Sequence, residues 1–231
     1  MRTKGVLMII ADGMGGHPGG GKASRLATEV IERVYYGACS NSGKSLKKAF
    51  ERANASIWNF ARKNTPWRGM GTTCTAAVVN DSRAFVAHIG DSRMYLVRED
   101  EIYQLTEDHS TVMDMVRKGM LDKNDAKNHT DRNVIQAALG MNRSVSVTTW
   151  PHPLQLKPDD GFILCSDGLH EAVSCEEMKN VAQCHDPAAA CQELIEMAKQ
   201  RGGPDNITVG IINVRTDPGG SGASPVAEPN S

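Results

Sequence analysis

Four short acidic blocks are spread over almost the whole chain, and each places an aspartate close to a glycine or proline. In each block the aspartate also lies at the end or the start of an apolar run that we interpret as a β-strand. From strand ends, a rigid sheet can present side chains to a cleft. The blocks are residues 11–16 (ADGMGG), 90–93 (GDSR), 166–169 (SDGL) and 204–206 (PDN).

These aspartates are candidates for a cation site, because carboxylates that converge in one cleft repel one another unless a cation neutralises them. Oxygen ligands suit hard ions such as Mg²⁺ or Mn²⁺. A single aspartate beside glycine or serine is also a common turn former, so one block alone would be weak support. Taken together, the four blocks predict a metal site built from carboxylates.

The hydrophobic pattern predicts the elements that must position the blocks. A buried strand over 6–11 leads into the first block, and apolar residues then recur at helical spacing over about 22–38 and 45–63. The pattern next changes to short β-branched or aromatic runs, which predict an antiparallel meander with turns at 80–82 and 99–101. The strands of this predicted meander are 73–79, 84–89, 93–97 and 102–105.

The second half of the chain gives a mixture of strands and helices, and the whole pattern indicates an α+β layered domain over residues 1–215. Residues 216–231 form a Gly/Ser/Pro/Ala tail with almost no apolar content, which we expect to be disordered. The predicted elements of this half are a polar, partly helical stretch (110–131), strands (145–150, 162–165 and 207–214) and helices (176–183 and 187–200).

Composition excludes several classes of protein. The 231 residues carry a net charge of −1, which gives no argument for nucleic acid or an anionic membrane surface as a partner. No apolar run approaches the roughly 20 residues that span a bilayer. The six cysteines form no CxxC pair, so neither a zinc site nor a disulfide framework is predicted.

Seven stretches of the chain carry motifs in a fixed order: residues 11–24 (ADGMGGHPGGGKAS), 69–79 (GMGTTCTAAVV), 87–97 (AHIGDSRMYLV), 105–110 (LTEDHS), 132–140 (RNVIQAALG), 163–174 (ILCSDGLHEAVS) and 202–214 (GGPDNITVGIINV). In order and spacing they resemble the metal-dependent protein phosphatases of the PPM family, the type-2C serine/threonine phosphatases. Met14 within DGMGG is similar to the bacterial branch. The resemblance implies a central antiparallel β-sandwich flanked by helical layers.

The resemblance also implies a role for each aspartate. Asp12 resembles the family's bridging ligand, whose carboxylate reaches both ions of a binuclear centre, and Gly13 would offer its backbone carbonyl to the second ion. Asp167 and Asp205 resemble the remaining carboxylate ligands of the first ion. Asp91 resembles the ligand of a third, weaker ion in bacterial members. Through the bound ions, three of these residues are the expected catalytic groups: Asp12, Asp167 and Asp205.

The implied activity is hydrolysis of phosphoserine and phosphothreonine in proteins. Two ions roughly 4 Å apart can hold a bridging water, lower its pKa and clamp a phosphate. That water would attack phosphorus in line, with no covalent enzyme intermediate. The implied cofactors are two or three Mn²⁺ or Mg²⁺ ions, and the implied partners are phosphoproteins and an opposing serine/threonine kinase. We expect a cytoplasmic monomer.

A nucleotide-binding loop is an alternative for one segment. Residues 16–23 (GHPGGGKA) nearly match the phosphate loop GxxxxGK[ST], follow a predicted strand and open a predicted helix. Ala23, however, lacks the hydroxyl that would bind Mg²⁺, and the predicted antiparallel strands do not supply a parallel βαβ pattern. His17 in this loop could serve as a general acid, although a surface role is the more common one. His109 is predicted to be a structural histidine.

One part of the family pattern has no counterpart here. In strands before the DGMGG block, family members carry an arginine that binds the phosphate. An Asn-Glu-Asp motif follows it and adds a ligand to the second metal ion. Met1 lies only eleven residues before Asp12. We therefore expect the N-terminal strands to be missing, either because the chain is a truncated version of a longer protein or because it is a natural short form. We also expect activity to be reduced. The alternative is a non-catalytic phosphoprotein-binding pseudophosphatase or regulatory module of the same fold.

Overall fold

The structure, a computed structural model, describes residues 4–14, 19–126, 128–203 and 205–215. The strands are β1 (Val6–Ile10), β2 (Cys74–Asn80), β3 (Arg83–Ile89), β4 (Arg93–Arg98), β5 (Glu101–Gln104), β6 (Thr148–Thr149), β7 (Leu154–Gln155), β8 (Gly161–Cys165) and β9 (Val209–Asn213). The helices are α1 (Gly20–Gly37), α2 (Ser42–Lys63), α3 (Thr111–Arg117), α4 (Lys123–Ala126), α5 (Asp167–His170), α6 (Cys175–Cys184) and α7 (Pro187–Gln200), with a short 3-10 turn (Thr65–Trp67) after α2.

The strands form two sheets, and every strand pair in the described residues is antiparallel. The first sheet has the order β1-β2-β3-β6, with β7 also pairing with β3, and the second has the order β5-β4-β8-β9. This pairing gives no parallel βαβ unit, so it argues against the NTPase alternative. No helix in the described part of the chain has the length and apolar character needed to cross a bilayer.

Successive side chains of each strand point to opposite faces of the sheet, and this alternation decides how the layers stack. In β4, Tyr95 and Val97 pack against the C-terminal helices, whereas Met94 and Leu96 pack into the space between the sheets. Strands β2 and β8 divide their side chains between two cores in the same way. The result is a sandwich of two sheets with α1 and α2 on one face and α5 to α7 on the other, as the α+β prediction requires.

The predicted meander is wrong at one point. Strands β2 and β3 pair, and β4 and β5 pair, but β3 and β4 belong to different sheets. Residues 90–92 carry the chain from one sheet to the other. Gly90 makes the sharp change of direction with φ +104°, where a Cβ would lie 2.5 Å from the Cβ of Thr73. The sequence pattern shows the strands but not this crossing.

Local capping fixes the ends of the helices. Asn41 accepts a hydrogen bond from the Lys44 amide, so α2 begins at Ser42 rather than at the predicted residue 45. Helix α7 begins at Pro187 as predicted, because the Asp186 side chain accepts from the two following amides and proline suits the first turn. The strand predicted over 145–150 is shorter, and β7 and α5 are not predicted.

All six cysteines are free, and two of them, Cys74 and Cys165, are buried. The predicted tail at 216–231 and His17 lie outside the described residues. The division into a catalytic domain over 1–215 and a tail therefore stays a prediction.

Asn54 anchors the backbone of residues 140–143. It is buried in α2, where its Oδ1 accepts from the Gly140 amide at 2.8 Å and its Nδ2 donates to the carbonyls of Asn142 (3.1 Å) and Arg143 (3.3 Å). Replacing Asn54 with leucine leaves these backbone groups without their partner. We expect Asn54→Leu to lower the free energy of unfolding by about 2–4 kcal/mol, measured by urea denaturation.

Asn59 provides the matched control for this substitution, since it lies on the exposed face of the same helix. Asn59→Leu should change the free energy of unfolding by less than about 0.5 kcal/mol. Equal stabilities for the two variants would contradict the anchoring role of Asn54.

Candidate functional site

Strand register brings the four acidic blocks to one end of the sandwich. In the first sheet, the end of β1 pairs with the start of β2 (Ile10 with Thr75), which in turn pairs with the end of β3. In the second sheet, the start of β4 lies beside the end of β8, which lies beside the start of β9. The aspartate of each block therefore lies next to a strand end on the same side of the molecule.

The backbone of Asp12 is held tightly where β1 ends. Its amide donates to Thr73 Oγ1 at 3.3 Å, and its carbonyl accepts from the Thr73 amide at 2.8 Å and from Thr72 Oγ1 at 2.7 Å. Both threonines are buried. These contacts fix the direction in which the Asp12 carboxylate leaves the strand.

Gly13 follows in a tight space beside the first turn of α1. A Cβ at this position would lie 2.2 Å from the backbone carbon of Gly20, and the next nearest atoms also belong to Gly20. Gly13 forms an isolated bridge with Thr72, and the Met14 amide donates to the Gly71 carbonyl at 3.1 Å. A glycine is therefore required here by close backbone approach.

Asp91 lies in the buried crossing between β3 and β4. The hydroxyls of Ser92 and Thr73 are 2.6 Å apart and share a hydrogen bond, and Thr75 Oγ1 donates to the Ser92 carbonyl at 2.8 Å. This crossing is therefore fastened to β2 in the first sheet. Through Thr73 it is also connected to the backbone of Asp12.

Asp167 is the first residue of the short helix α5, which follows β8. Its Oδ1 accepts from the Gly168 amide at 2.7 Å. The preceding residue, Ser166, donates its hydroxyl to the Asn206 carbonyl at 3.0 Å and accepts from the Thr208 amide at 3.0 Å. These bonds join α5 to the loop that carries Asp205.

Asp205 lies against the same helix. A Cβ on Gly168 would lie 2.6 Å from the Asn206 carbonyl oxygen, so the loop and α5 make direct backbone contact. The Asp205 side chain accepts from the Asn206 amide at 2.7 Å.

Mutual repulsion is visible in the electrostatics of the aspartates. Burial, together with Asp167, Asp205 and Asp91, raises the pKa of Asp12 to about 7. Burial is the main cause and the neighbouring carboxylates add to it. The four predicted carboxylates thus share one electrostatic environment, which is the condition under which a cation would bind.

Asp91 is perturbed in the same direction. Burial, then Asp167 and Asp108, raise the pKa of Asp91 to about 7, and Arg93 opposes this shift only in part. The Arg93 guanidinium is already engaged, because its Nε and Nη2 donate to the carboxylate of Asp108 at 2.9 and 2.7 Å. The nearby arginine therefore does not neutralise the aspartate cluster.

The donor set fits Mg²⁺ or Mn²⁺ by its chemistry, since the convergent groups are carboxylates and a backbone carbonyl. Within the described ranges, no three His, Cys, Asp or Glu side chains are already spaced to hold an ion. The carboxylates would therefore have to move together around a cation, which would also remove the repulsion that raises their pKa values.

Positioning residues around the site are not evident from the sequence. The hydroxyls of Thr72, Thr73, Ser92 and Ser166 carry no chemistry of their own, and the sequence offers only the hydroxyl-rich run at 72–75 as a signal. Their bonding partners lie 19 to 61 residues away along the chain. His170, which the sequence did not mark, donates to the Asp91 carbonyl at 3.1 Å.

His109 is structural, as predicted. Its Nδ1 accepts from the Gly90 amide at 3.1 Å, and its Nε2 lies 3.0 Å from Thr148 Oγ1. His88 lies beside it, with ring centroids 4.9 Å apart, and bonds to Thr75 and the Glu107 carbonyl. His109 thus binds the backbone of the crossing at 90–92, and His88 packs beside His109.

Metal binding should depend on pH, because Asp12 and Asp91 must lose protons first. With pKa values of about 7 in place of 3.8, both carboxyls hold protons at pH 5.5 and have largely lost them by pH 8. Mn²⁺ should therefore raise the melting temperature more at pH 8 than at pH 5.5, and its dissociation constant should fall by roughly tenfold or more between these values. Differential scanning fluorimetry and calorimetry would measure both quantities.

The comparison with and without Mn²⁺ at each pH is essential. In the metal-free protein the raised aspartate pKa values favour folding at low pH, and that contribution is lost as pH rises from about 4 to about 7. Burial lowers the pKa of His88 to about 4, so its contribution runs the other way and is lost as pH falls below 6.5. Because His88 acts with and without Mn²⁺, the difference isolates the aspartates. An Mn²⁺ effect that is independent of pH would contradict this prediction.

Comparison with known proteins agrees with this geometry. The protein phosphatase 2C family profile matches residues 2–202. The chain belongs to the protein phosphatase 2C family. The family resemblance drawn from the seven motifs is thereby confirmed.

Relatives of this phosphatase 2C chain support the same assignment. The serine/threonine phosphatase stp of Listeria innocua is 36% identical over 217 residues, which cover 91% of this chain and 85% of that protein. The crystal structure of the Mycobacterium tuberculosis serine/threonine phosphatase PstP/Ppp matches with a TM-score of 0.83 and 34% identity, covering 91% of this chain and 88% of that one.

A third phosphatase 2C comparison concerns metals. The catalytic domain of PstP, in a structure described as a complex with two manganese ions, matches with a TM-score of 0.78 and 32% identity. It covers 91% of this chain and 88% of that one. The α+β sandwich predicted from the sequence is the fold of these neighbours.

Proposed function

We propose that this chain hydrolyses phosphoserine and phosphothreonine in proteins, using Mn²⁺ or Mg²⁺. The observation that carries the proposal is the convergence of four aspartate-bearing segments at one end of the sandwich, with the pKa values of Asp12 and Asp91 raised to about 7. Relatives named serine/threonine phosphatases, one of them solved with two manganese ions, support the same chemistry.

The proposed ligands follow the positions of the motifs. The residues that would hold the first two ions are Asp12, Asp167, Asp205 and Gly13, the last through its backbone carbonyl. Asp91 would hold a third, weaker ion. Support for this assignment comes from the shared electrostatic environment of the four carboxylates and from the tight backbone path at Gly13.

When bound, the ions supply an activated water and offset the negative charge of the phosphate. The chain's own residues prepare the site for them. Thr72 and Thr73 hold the Asp12 backbone, so only the side chain of Asp12 has to turn toward a cation. Ser166 joins the loop that carries Asp205 to the helix that carries Asp167, so the backbones of these two residues are held together. Such fixed placement lowers the entropy that the reaction must lose.

We further propose that the substrates are phosphoproteins modified by an opposing serine/threonine kinase, and that the chain acts in the cytoplasm as a monomer. The six free cysteines fit a reducing compartment. A monomer is supported by the small number of exposed large apolar side chains in the described residues. These are Val6, Tyr36, Tyr103, Met120 and Val134.

A phosphopeptide assay tests the proposed function directly. Release of inorganic phosphate from phosphoserine and phosphothreonine peptides should require Mn²⁺ or Mg²⁺ and stop in EDTA. A phosphotyrosine peptide serves as the comparison substrate and should react much more slowly. Turnover that persists in EDTA would refute the metal mechanism. Phosphopeptide binding without turnover at saturating Mn²⁺ would refute the enzyme and favour a pseudophosphatase.

A further inference from the structure

Side-chain hydrogen bonds join the four acidic segments end to end. Ser166 connects α5 to the carbonyl of Asn206, beside Asp205, at 3.0 Å. The Ser92 and Thr73 hydroxyls connect the 90–92 crossing to the end of β1. One link remains between these two halves of the site, from α5 to the crossing, and a histidine makes it.

His170 is the last residue of α5, and Asp167 is the first. Its Nε2 lies 3.1 Å from the backbone carbonyl oxygen of Asp91, 79 residues earlier in the chain. A carbonyl oxygen can only accept a hydrogen bond, so Nε2 carries the hydrogen and donates it. The ring therefore ties the segment that carries one proposed ligand to the backbone of another.

Helix α5 needs such an external support. It is four residues long, and the Ser166 side chain makes no capping bond to it, because that hydroxyl is used by the 206–208 loop. A single helical turn has little cooperative stability of its own. Its position relative to the crossing is therefore set by contacts made from outside the helix, and the bond from His170 is directed at Asp91, which carries another proposed ligand.

We propose that His170 is a positioning residue, which fixes the distance between the Asp167 and Asp91 carboxylates by donating to the Asp91 carbonyl. The inference rests on the proposed function, because it concerns the same metal site. It assigns His170 no contact with substrate. Its effect is on how well the site is arranged before an ion arrives.

Two substitutions separate the hydrogen bond from the volume of the ring. His170→Leu keeps a bulky apolar group and removes the donor, whereas His170→Gln can place an amide nitrogen near the position of Nε2. In calorimetric titrations of the metal-free protein with Mn²⁺, the leucine variant should need a roughly fivefold higher concentration for half-saturation. The glutamine variant should recover most of that loss. His185→Leu, at an exposed histidine after α6, is the matched control and should titrate like the unmodified chain.

A double-mutant cycle tests whether His170 acts through Asp91. In the Asp91→Asn background, adding His170→Leu should change the half-saturating Mn²⁺ concentration by less than twofold, because the group that it positions has been altered. A general structural effect would instead add the same fivefold loss in both backgrounds. The substrate KM at saturating Mn²⁺ should stay within about twofold of the unmodified chain, because the proposed role concerns the ions.

Several results would overturn the inference. It fails if the leucine variant binds Mn²⁺ as tightly as the unmodified chain, or if the glutamine variant is as weak as the leucine variant. It also fails if the loss is unchanged in the Asp91→Asn background. If the unmodified chain binds no Mn²⁺, the proposed function fails and the inference fails with it, which distinguishes this outcome from the others.

Discussion

Asp167→Asn is expected to lower phosphothreonine-peptide turnover at saturating Mn²⁺ by roughly 100-fold or more, since even groups behind a metal's ligands contribute 10- to 100-fold. The substitution preserves shape, and the side-chain oxygen that accepts from the Gly168 amide remains. It removes a negative charge that a cation needs. The protein should therefore stay folded while its metal site fails.

The same substitution should raise the melting temperature of the metal-free protein. The Asp167 charge contributes to the raised pKa values of both Asp12 and Asp91, which measure repulsion among the carboxylates. Removing one charge relieves that repulsion, so stability in EDTA increases at pH 8, where the aspartates are ionised. Addition of Mn²⁺ should then stabilise the variant much less than the unmodified chain.

Asp167→Asn is thus expected to lower turnover and to raise the melting temperature of the metal-free protein, and a general loss of structure would not produce this combination. Asp81→Asn is the control, because Asp81 lies in the exposed turn between β2 and β3 with φ +53°, a conformation that asparagine also accepts. It should leave turnover and Mn²⁺ stabilisation unchanged. Normal Mn²⁺-dependent turnover by Asp167→Asn would contradict the role assigned to Asp167.

Local chemistry explains which elements could be predicted from the sequence. Helix α7 was predicted with its observed bounds, because an N-cap aspartate, a first-turn proline and apolar spacing all agree. Strands β2 to β5 were predicted to within one residue at each end, because β-branched runs are bounded by turn residues. In these regions neighbouring residues decide the structure.

The division between the two sheets could not be predicted in the same way. The turn at 80–82 and the crossing at 90–92 both contain small or polar residues, yet only the second takes the chain into the other sheet. What distinguishes the crossing is the close approach of Gly90 to Thr73 and the bond from Ser92 to the same residue. These contacts join residues that are 17 and 19 positions apart and exist only once the sheets have formed.

The candidate site shows the same contrast between local signals, which the sequence carries, and contacts between distant residues, which it does not. The sequence indicates the aspartates, because carboxylates beside glycine and proline recur and match family motifs. The groups that hold their backbones cannot be predicted in this way, since a threonine, serine or histidine becomes a positioning residue only through its partner. His170 shows this most clearly, because its partner Asp91 lies in the crossing at 90–92, 79 residues away along the chain.

Gly13→Ala is expected to remove nearly all Mn²⁺-dependent activity and to destabilise the protein. The added Cβ would lie 2.2 Å from the backbone carbon and 2.3 Å from the carbonyl oxygen of Gly20, and backbone atoms cannot rotate out of the way as a side chain can. Either α1 moves away or the chain at Gly13 shifts. We expect a cost of about 1–3 kcal/mol, as for other overpacked sites.

The larger consequence concerns the metal site. The Asp12 carbonyl is bound by Thr72 and Thr73, so any shift of the chain falls on Gly13 itself, whose carbonyl is a proposed ligand. Moving a ligand by about 1 Å can cost roughly 100-fold in rate. Turnover and Mn²⁺ affinity should therefore fall together, and the loss of turnover should persist at temperatures well below the lowered melting transition.

Gly21→Ala provides the matched control within the same region of the chain. No atom lies within 4 Å of a Cβ at Gly21, which is exposed in the first turns of α1. Alanine favours a helix over glycine by up to about 1 kcal/mol, so this variant should be slightly more stable and fully active. Circular dichroism melts, Mn²⁺ titrations and peptide turnover, measured on both variants, distinguish the two positions. If Gly13→Ala binds Mn²⁺ and turns over substrate as Gly21→Ala does, the backbone path at Gly13 does not set the metal site.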